Sequence, residues 1–330
     1  MSLATEESKK SVVEPTLLSL TWNSLLGKKL IGGISIPSIL LVAVAIYFAT
    51  NFEMYFIDPR MRREGIVFGL TNLATWLALF LWLFTIQIAR QATLQRALEG
   101  RYEDALRMNR WFSWVPGFGG TLKFWILLEA GRFGDLLAAT KPRAFDRNGL
   151  TKLPNWKLYY HAMALSHQER GERAQELLEA ASRLAPQIVP EIGFIQVGLA
   201  DCLLEQNKDP EQARSLLSYT LGKWPESIDP NRRKADLALR KGRHAWALAR
   251  CARRDKAIWE MWHASEDSDG FLERDRAWLR YYAGEMSLAL GDTKEALAAF
   301  EEANALHPHG QLRMRAKERL STVCESIGGL

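Results

Sequence analysis

The residues with chemistry to offer in this chain are mostly basic. Between Asn231 and Lys256, ten of 26 residues are Lys or Arg. On a helix through that stretch Arg240, Arg243, Arg250 and Arg254 fall within about 80° of one another, at about 100° per residue. A one-sided cationic stripe can dock an acidic peptide, an anionic lipid or a phosphate. It is equally the pattern of a solvated outer face, with Asp236, Asp255 and Glu260 at hand to pair with it. The interleaved Trp246, Trp259 and Trp262 have the composition of a single-strand platform, but their helical spacing assigns them to the core of packed helices, and no nucleic-acid partner is expected. His307-Pro308-His309 would need ligands from elsewhere to hold a metal and reads as an exposed loop after a helix. His161, His167, His244 and His263 lack HExxH-type spacing. With no GxSxG elbow, no P-loop and no strand ahead of the glycines of GFGG, no catalytic, cofactor-binding or metal-ligating residues are expected, and no enzyme.

Composition narrows the class further. Forty-three Lys and Arg stand against 38 Asp and Glu, an excess too small to demand a polyanionic partner. The three cysteines, Cys202, Cys251 and Cys324, are distant from one another and lie in helical patterns; they read as buried reduced thiols. A mean hydropathy of -0.16 conceals a split, because nearly all the strongly apolar sequence lies between Leu30 and Ala89.

That apolar part predicts a membrane anchor. Residues 30–50 and 65–89 supply 21 and 25 residues without a charge, and about 20 are needed to cross a bilayer. A link of 14 residues, NFEMYFIDPRMRRE, makes the two spans an antiparallel hairpin. Ala45 and Ala49 in the first and Gly65 and Gly69 in the second are small residues at matching depth, and Asn72 can hydrogen-bond between helices. Nine flanking Lys and Arg on the terminal sides against three in the link put both termini in the cytoplasm. Residues 1–29 are polar, with Thr16–Leu26 either lying at the bilayer surface, Trp22 at headgroup depth, or packing as a short helix on the following domain. Trp111, Phe112, Trp114 and Phe118, beside Arg107, Arg110 and Lys123, suit an interfacial anchor or an aromatic core under a Pro-Gly loop.

From residue 90 to 330 the chain reads as a helical-repeat domain, with the helix from Gly65 predicted to run unbroken from the bilayer to Glu99 as the first helix of its first repeat, and GRYEDAL as the turn and start of the second. The segment Ala277–Gly310 has Gly284 where a first helix needs a small residue, Gly291 at the turn, Ala296, Phe300 and Ala303 on the inner face of the second helix, and Pro308 after it. That arrangement resembles a tetratricopeptide repeat (TPR) of 34 residues. Weaker copies place second-helix anchors at Ala105, Leu136, Ala174, Ala213 and Ala257 ahead of Ala296, at spacings of 31, 38, 39, 44 and 39. The fold expected is all-α: a two-helix transmembrane hairpin followed by a TPR-like α-solenoid of about five or six helix pairs, with Arg313–Ile327 as a capping helix.

The resemblance implies a protein-interaction module, binding an extended peptide or protein along its concave face. Two spans ahead of a TPR-like domain are also similar in layout to bacterial inner-membrane proteins encoded with haem-biosynthesis enzymes, which implies that membrane as the location. The expected function is a membrane-anchored scaffold holding a protein partner on the cytoplasmic side, with the lipid bilayer, and anionic lipid in it, as further partners; the alternative is an assembly subunit of a larger membrane complex whose hairpin makes the main contacts.

Overall fold

The computed structural model describes residues 29–30, 34–35, 62–113, 120–141, 155–168, 171–184, 191–222, 230–266 and 268–328. The chain divides into two compact units, 1–92 and 93–330. In the first, β1 (Lys29–Leu30) pairs antiparallel with β2 (Ile34–Ser35). This ribbon stands where a helix was expected to begin at Leu30. The rest of the expected first span, with Ala45 and Ala49, and also Trp22, lie outside the described residues.

Helix α1 (Arg62–Leu98) contains the segment expected as the second span and is continuous through Arg90. Gly65 and Gly69 lie on it, and so does Asn72, whose side chain is outside the described residues. Among the described residues no helix is long and apolar enough to cross a membrane, many side chains of α1 lying outside them.

The second unit is helical throughout its described residues. After the end of α1 come α2 (Tyr102–Trp111), α3 (Gly120–Glu129), α4 (Phe133–Thr140), α5 (Asn155–Ser166), α6 (Gly171–Leu184), α7 (Glu191–Glu205), α8 (Pro210–Leu221), α9 (Pro230–Arg250), α10 (Arg254–Ser265), α11 (Glu273–Ala289), α12 (Thr293–Leu306) and α13 (Gly310–Gly328). From α3 onward consecutive helices pack as pairs and each first helix also touches the next, as α5 touches α7 and α9 touches α11.

The anchors explain the pairing. Ala105, Leu136, Ala174, Ala213, Ala257 and Ala296 are each the fourth residue of their helix and each 0% exposed. A small or aliphatic side chain one turn into the second helix lets it cross the first closely. In α11 and α12 the fit is tightest, since a Cβ on Gly284 would stand 2.6 Å from the Phe300 ring. Alanine there would drive the ring from a fully buried site that stabilises the pair by about 2–3 kcal/mol.

The turns share one device. Gly100, Gly131, Asn207, Ala252 and Gly291 all have φ between +53° and +80°, and the amide one residue later donates to a carbonyl five residues back: Arg101 to Arg96, Arg132 to Leu127, Lys208 to Leu203, Arg253 to Leu248 and Asp292 to Ser287. This is the Schellman ending that closes a helix with a left-handed residue. At Ala252 the left-handed conformation carries a Cβ, which costs about 1–2 kcal/mol. Ala252→Gly should therefore stabilise the chain by about 0.5–1 kcal/mol after the added flexibility of glycine in the unfolded state is subtracted, read as a higher urea midpoint at unchanged m-value.

Candidate functional site

The basic stripe does not form a common exposed face. Arg240, on α9, is 7% exposed and donates from Nη1 to the Thr220 carbonyl at 3.2 Å. Burial, and then the Arg243 cation, pull its pKa down to about 10. Arg243 points at α7, where its Nε lies 3.1 Å from both carboxylate oxygens of Asp201 and its guanidinium sits over the Tyr282 ring at 4.7 Å. Burial alone would lower its pKa; the Asp201 charge outweighs that and holds it above its ordinary value. Arg250 donates to Asn207 Oδ1 at 2.9 Å, and of the four only Arg254 is exposed. The stripe fastens α9 to α7, α8 and the turn after α7.

The opposite surprise lies at the C terminus. Helix α13 does more than cap the last pair, because it also packs on α3. Leu312, Ala316 and Val323 are each about 1% exposed or less and belong to the core shared by α5 through α12. Arg315 reaches Glu205 at the end of α7 at 2.6 Å, donates to His167 Nε2 just after α5 at 2.9 Å and lies over the Trp278 ring of α11 at 5.7 Å. Arg319 bonds to Glu285 at 2.5 Å, and Tyr281 donates to the same carboxylate at 2.7 Å. The first helices α5, α7 and α11 thus present His167, Glu205 and Glu285 to the chain's own last helix.

A second seam joins the first and last pairs. Glu129, at the end of α3, receives Arg274 of α11 in a fork, Nε to Oε2 at 3.2 Å and Nη2 to Oε1 at 2.5 Å, while Nη1 donates to Asp275 at 2.7 Å. All three residues are at most 6% exposed. Beside them the Tyr102 hydroxyl and His307 Nε2 share a hydrogen bond of 3.0 Å. Burial, reinforced by Glu129, raises the Tyr102 pKa; burial, reinforced by Arg274, lowers that of His307 from 6.5 to about 4. The contact closes at Gly310, φ +61°, where a Cβ would lie 2.0 Å from the Glu129 carbonyl oxygen.

His307 is 5% exposed, so the expected open loop is instead half of this joint; Pro308 and His309 are exposed beside it. Chain separation hid the pairing, Glu129 and Arg274 being 145 residues apart. The readable signal was charge inside apolar helix faces, Glu129 after WILL and Arg274-Asp275 ahead of AWL.

Aromatic residues also sort differently from expectation. Trp246 is fully buried, but Trp259 and Trp262 are 60% and 58% exposed, and with Ile258 at 45% they make an apolar face on α10. Both indoles stand edge-on to His263. Trp111 is exposed and Phe112 half-buried, while Trp114 and Phe118 lie outside the described residues. Of the cysteines, Cys202 is buried, Cys251 is intermediate and Cys324 is exposed, so only the first fits the expected buried thiol. Burial pushes the Cys202 pKa up to about 12.

Comparison with protein-family models, with curated proteins and with solved structures finds no match for this chain. Its geometry therefore carries the functional reading.

Two outcomes test the seam. Arg274→Met strands a buried carboxylate and should cost about 3–5 kcal/mol, part of which the double change with Glu129→Leu restores, as read from urea midpoints. The His307 pKa is lower in the folded chain than in the unfolded one, so the unfolded state binds more protons as pH falls from about 6.5 toward 4 and stability drops across that window. In His307→Gln the midpoint should fall less between pH 7 and pH 5 than in the unaltered chain.

Proposed function

We propose that the chain is a non-enzymatic, membrane-anchored scaffold whose TPR-like domain holds a protein partner on the cytoplasmic side of a bacterial inner membrane. The observation that carries the reading is the uncovered face of Ile258, Trp259 and Trp262 on α10. Large apolar side chains grouped on a surface mark interaction sites, and Trp is prominent among the residues on which protein interfaces depend. Helix α13 engages the ends of α5 and α7 and Glu285 of α11, while the α10 face stays exposed, so the partner site falls on α10. The TPR reading rests on Gly284 beneath Phe300, with Ala296 and Ala303 fully buried next to it.

The membrane reading rests on the two charge-free stretches and on α1. Leu77, Leu81 and Trp82 are 57%, 53% and 43% exposed there, as suits a helix facing lipid. The exposed Thr75 and Thr85 hydroxyls donate to the carbonyls of Thr71 and Leu81, four residues back, so they need no water. That same lipid-facing surface favours the second reading, a subunit of a larger membrane complex, since another membrane protein's helices could cover it.

Cross-linked co-purification from native membranes separates these readings. Trp259→Ser with Trp262→Ser should remove the partners captured by the full chain while leaving its thermal unfolding unchanged; capture of the same partners by the double variant would sink the scaffold reading. Loss of every partner from residues 91–330 alone would favour the subunit reading.

A further inference from the structure

Between α2, α3 and α4 lies a cavity of about 760 Å³, within the range of roughly 300–1,000 Å³ typical of small-molecule sites. Its walls carry Arg107, Arg110, Lys123 and Arg132 against Glu103 and Asp135. Both carboxylates are already taken, for Arg132 donates to Asp135 at 2.6 Å and to Glu103 at 3.1 Å. The nearby Asp104 is held by Arg101 at 2.7 Å. Arg107, Arg110 and Lys123 form no ion pair with a carboxylate among the described residues, although the Arg107 charge acts on Asp104, and three like charges around one hollow favour an anion there.

A second, independent feature specifies more than charge. Asn109 lines the cavity, is 2% exposed and has an amide oxygen with no hydrogen-bond partner in the described structure. A buried acceptor left unsatisfied costs about 1–3 kcal/mol, which a ligand hydroxyl would recover.

We infer that this cavity binds a phosphate ester bearing a free hydroxyl, with Arg107, Arg110 and Lys123 around the phosphate and Asn109 accepting from the hydroxyl. A glycerol phosphate group has that chemistry, whether as the headgroup of phosphatidylglycerol or as a soluble ester. The site is separate from the α10 face, so its failure and that of the partner reading are distinguishable.

The test uses the full chain in detergent. Native mass spectrometry with equal phosphatidylglycerol and phosphatidylcholine should show the anionic lipid retained about tenfold more, the effect of one charge-assisted contact. Arg107→Gln with Lys123→Gln should bring the ratio near one with unchanged melting temperature, since both side chains are exposed. Asn109→Leu should keep the charge preference but lose discrimination between phosphatidylglycerol and phosphatidic acid, which has no headgroup hydroxyl. If the lipid shows no preference while glycerol 1-phosphate raises the melting temperature of the unaltered chain and not of the double variant, the ligand is the soluble ester and the inference stands. Equal behaviour of unaltered chain and double variant toward both probes overturns it, whatever Asn109→Leu does.

Discussion

Arg274 has lost nearly all its water, and so have the two carboxylates that hold it. Removing three charges from solvent costs several kcal/mol for each, and their attraction returns that only when geometry is good and the remaining polar atoms are engaged. The planar fork of arginine satisfies the first condition, since it meets Glu129 through two nitrogens and Asp275 through the third. Asp275 helps with the second by lying in the first turn of α11, where the helix end favours negative charge. Such a cluster adds little net stability over an apolar filling. What it supplies is register: only one placement of α11 against the end of α3 leaves no buried charge alone. The Tyr102 and His307 contact and the close approach at Gly310 follow once that placement is fixed.

Closure changes which surfaces are available. Helix α13 engages the ends of α5 and α7 and Glu285 of α11 through Arg315 and Arg319. The charged residues that sequence reading would offer to a partner, Arg240, Arg243 and Arg250, are committed to Thr220, Asp201 and Asn207. Among the described residues of the second unit, the indole face of α10 and the cationic cavity beside α3 are uncommitted. One is apolar and the other charged, so they suit ligands of different chemistry.

Much of the helix pairing was legible because it is local. An alanine or leucine one turn after a left-handed turn residue is a short-range pattern, and all six anchors proved to be the fourth residue of their helix. The α2 start at Tyr102 and the Gly284–Phe300 contact were readable for the same reason. The joint was not, because nothing local marks Glu129 as the partner of a residue 145 positions away. Trp259 and Trp262 misled for a different reason. Helical spacing says that residues share a face and is silent on whether that face is covered. Likewise Arg243 could be placed on a stripe, but only the position of α7 turns the stripe inward toward Asp201.

The longest spacing between anchors, from Ala213 to Ala257, coincides with the longest of the first helices, α9. In the four pairs from α5 to α12 the second helices stay between 12 and 14 residues, while the first helices run 12, 15, 21 and 17. Keeping the second helix constant preserves the crossing at its anchor alanine, so length can be added on the other member without disturbing the pair. The longest, α9, uses its extra turns to touch α7, α8, α10 and α11, and Arg240 and Arg243 lie near its middle. A repeat array meets its own beginning when the rotation from pair to pair accumulates with little rise, and here Gly310 lies against the Glu129 carbonyl. The polar clusters at Arg274 and Arg315 tie α11 to the end of α3 and α13 to the ends of α5 and α7.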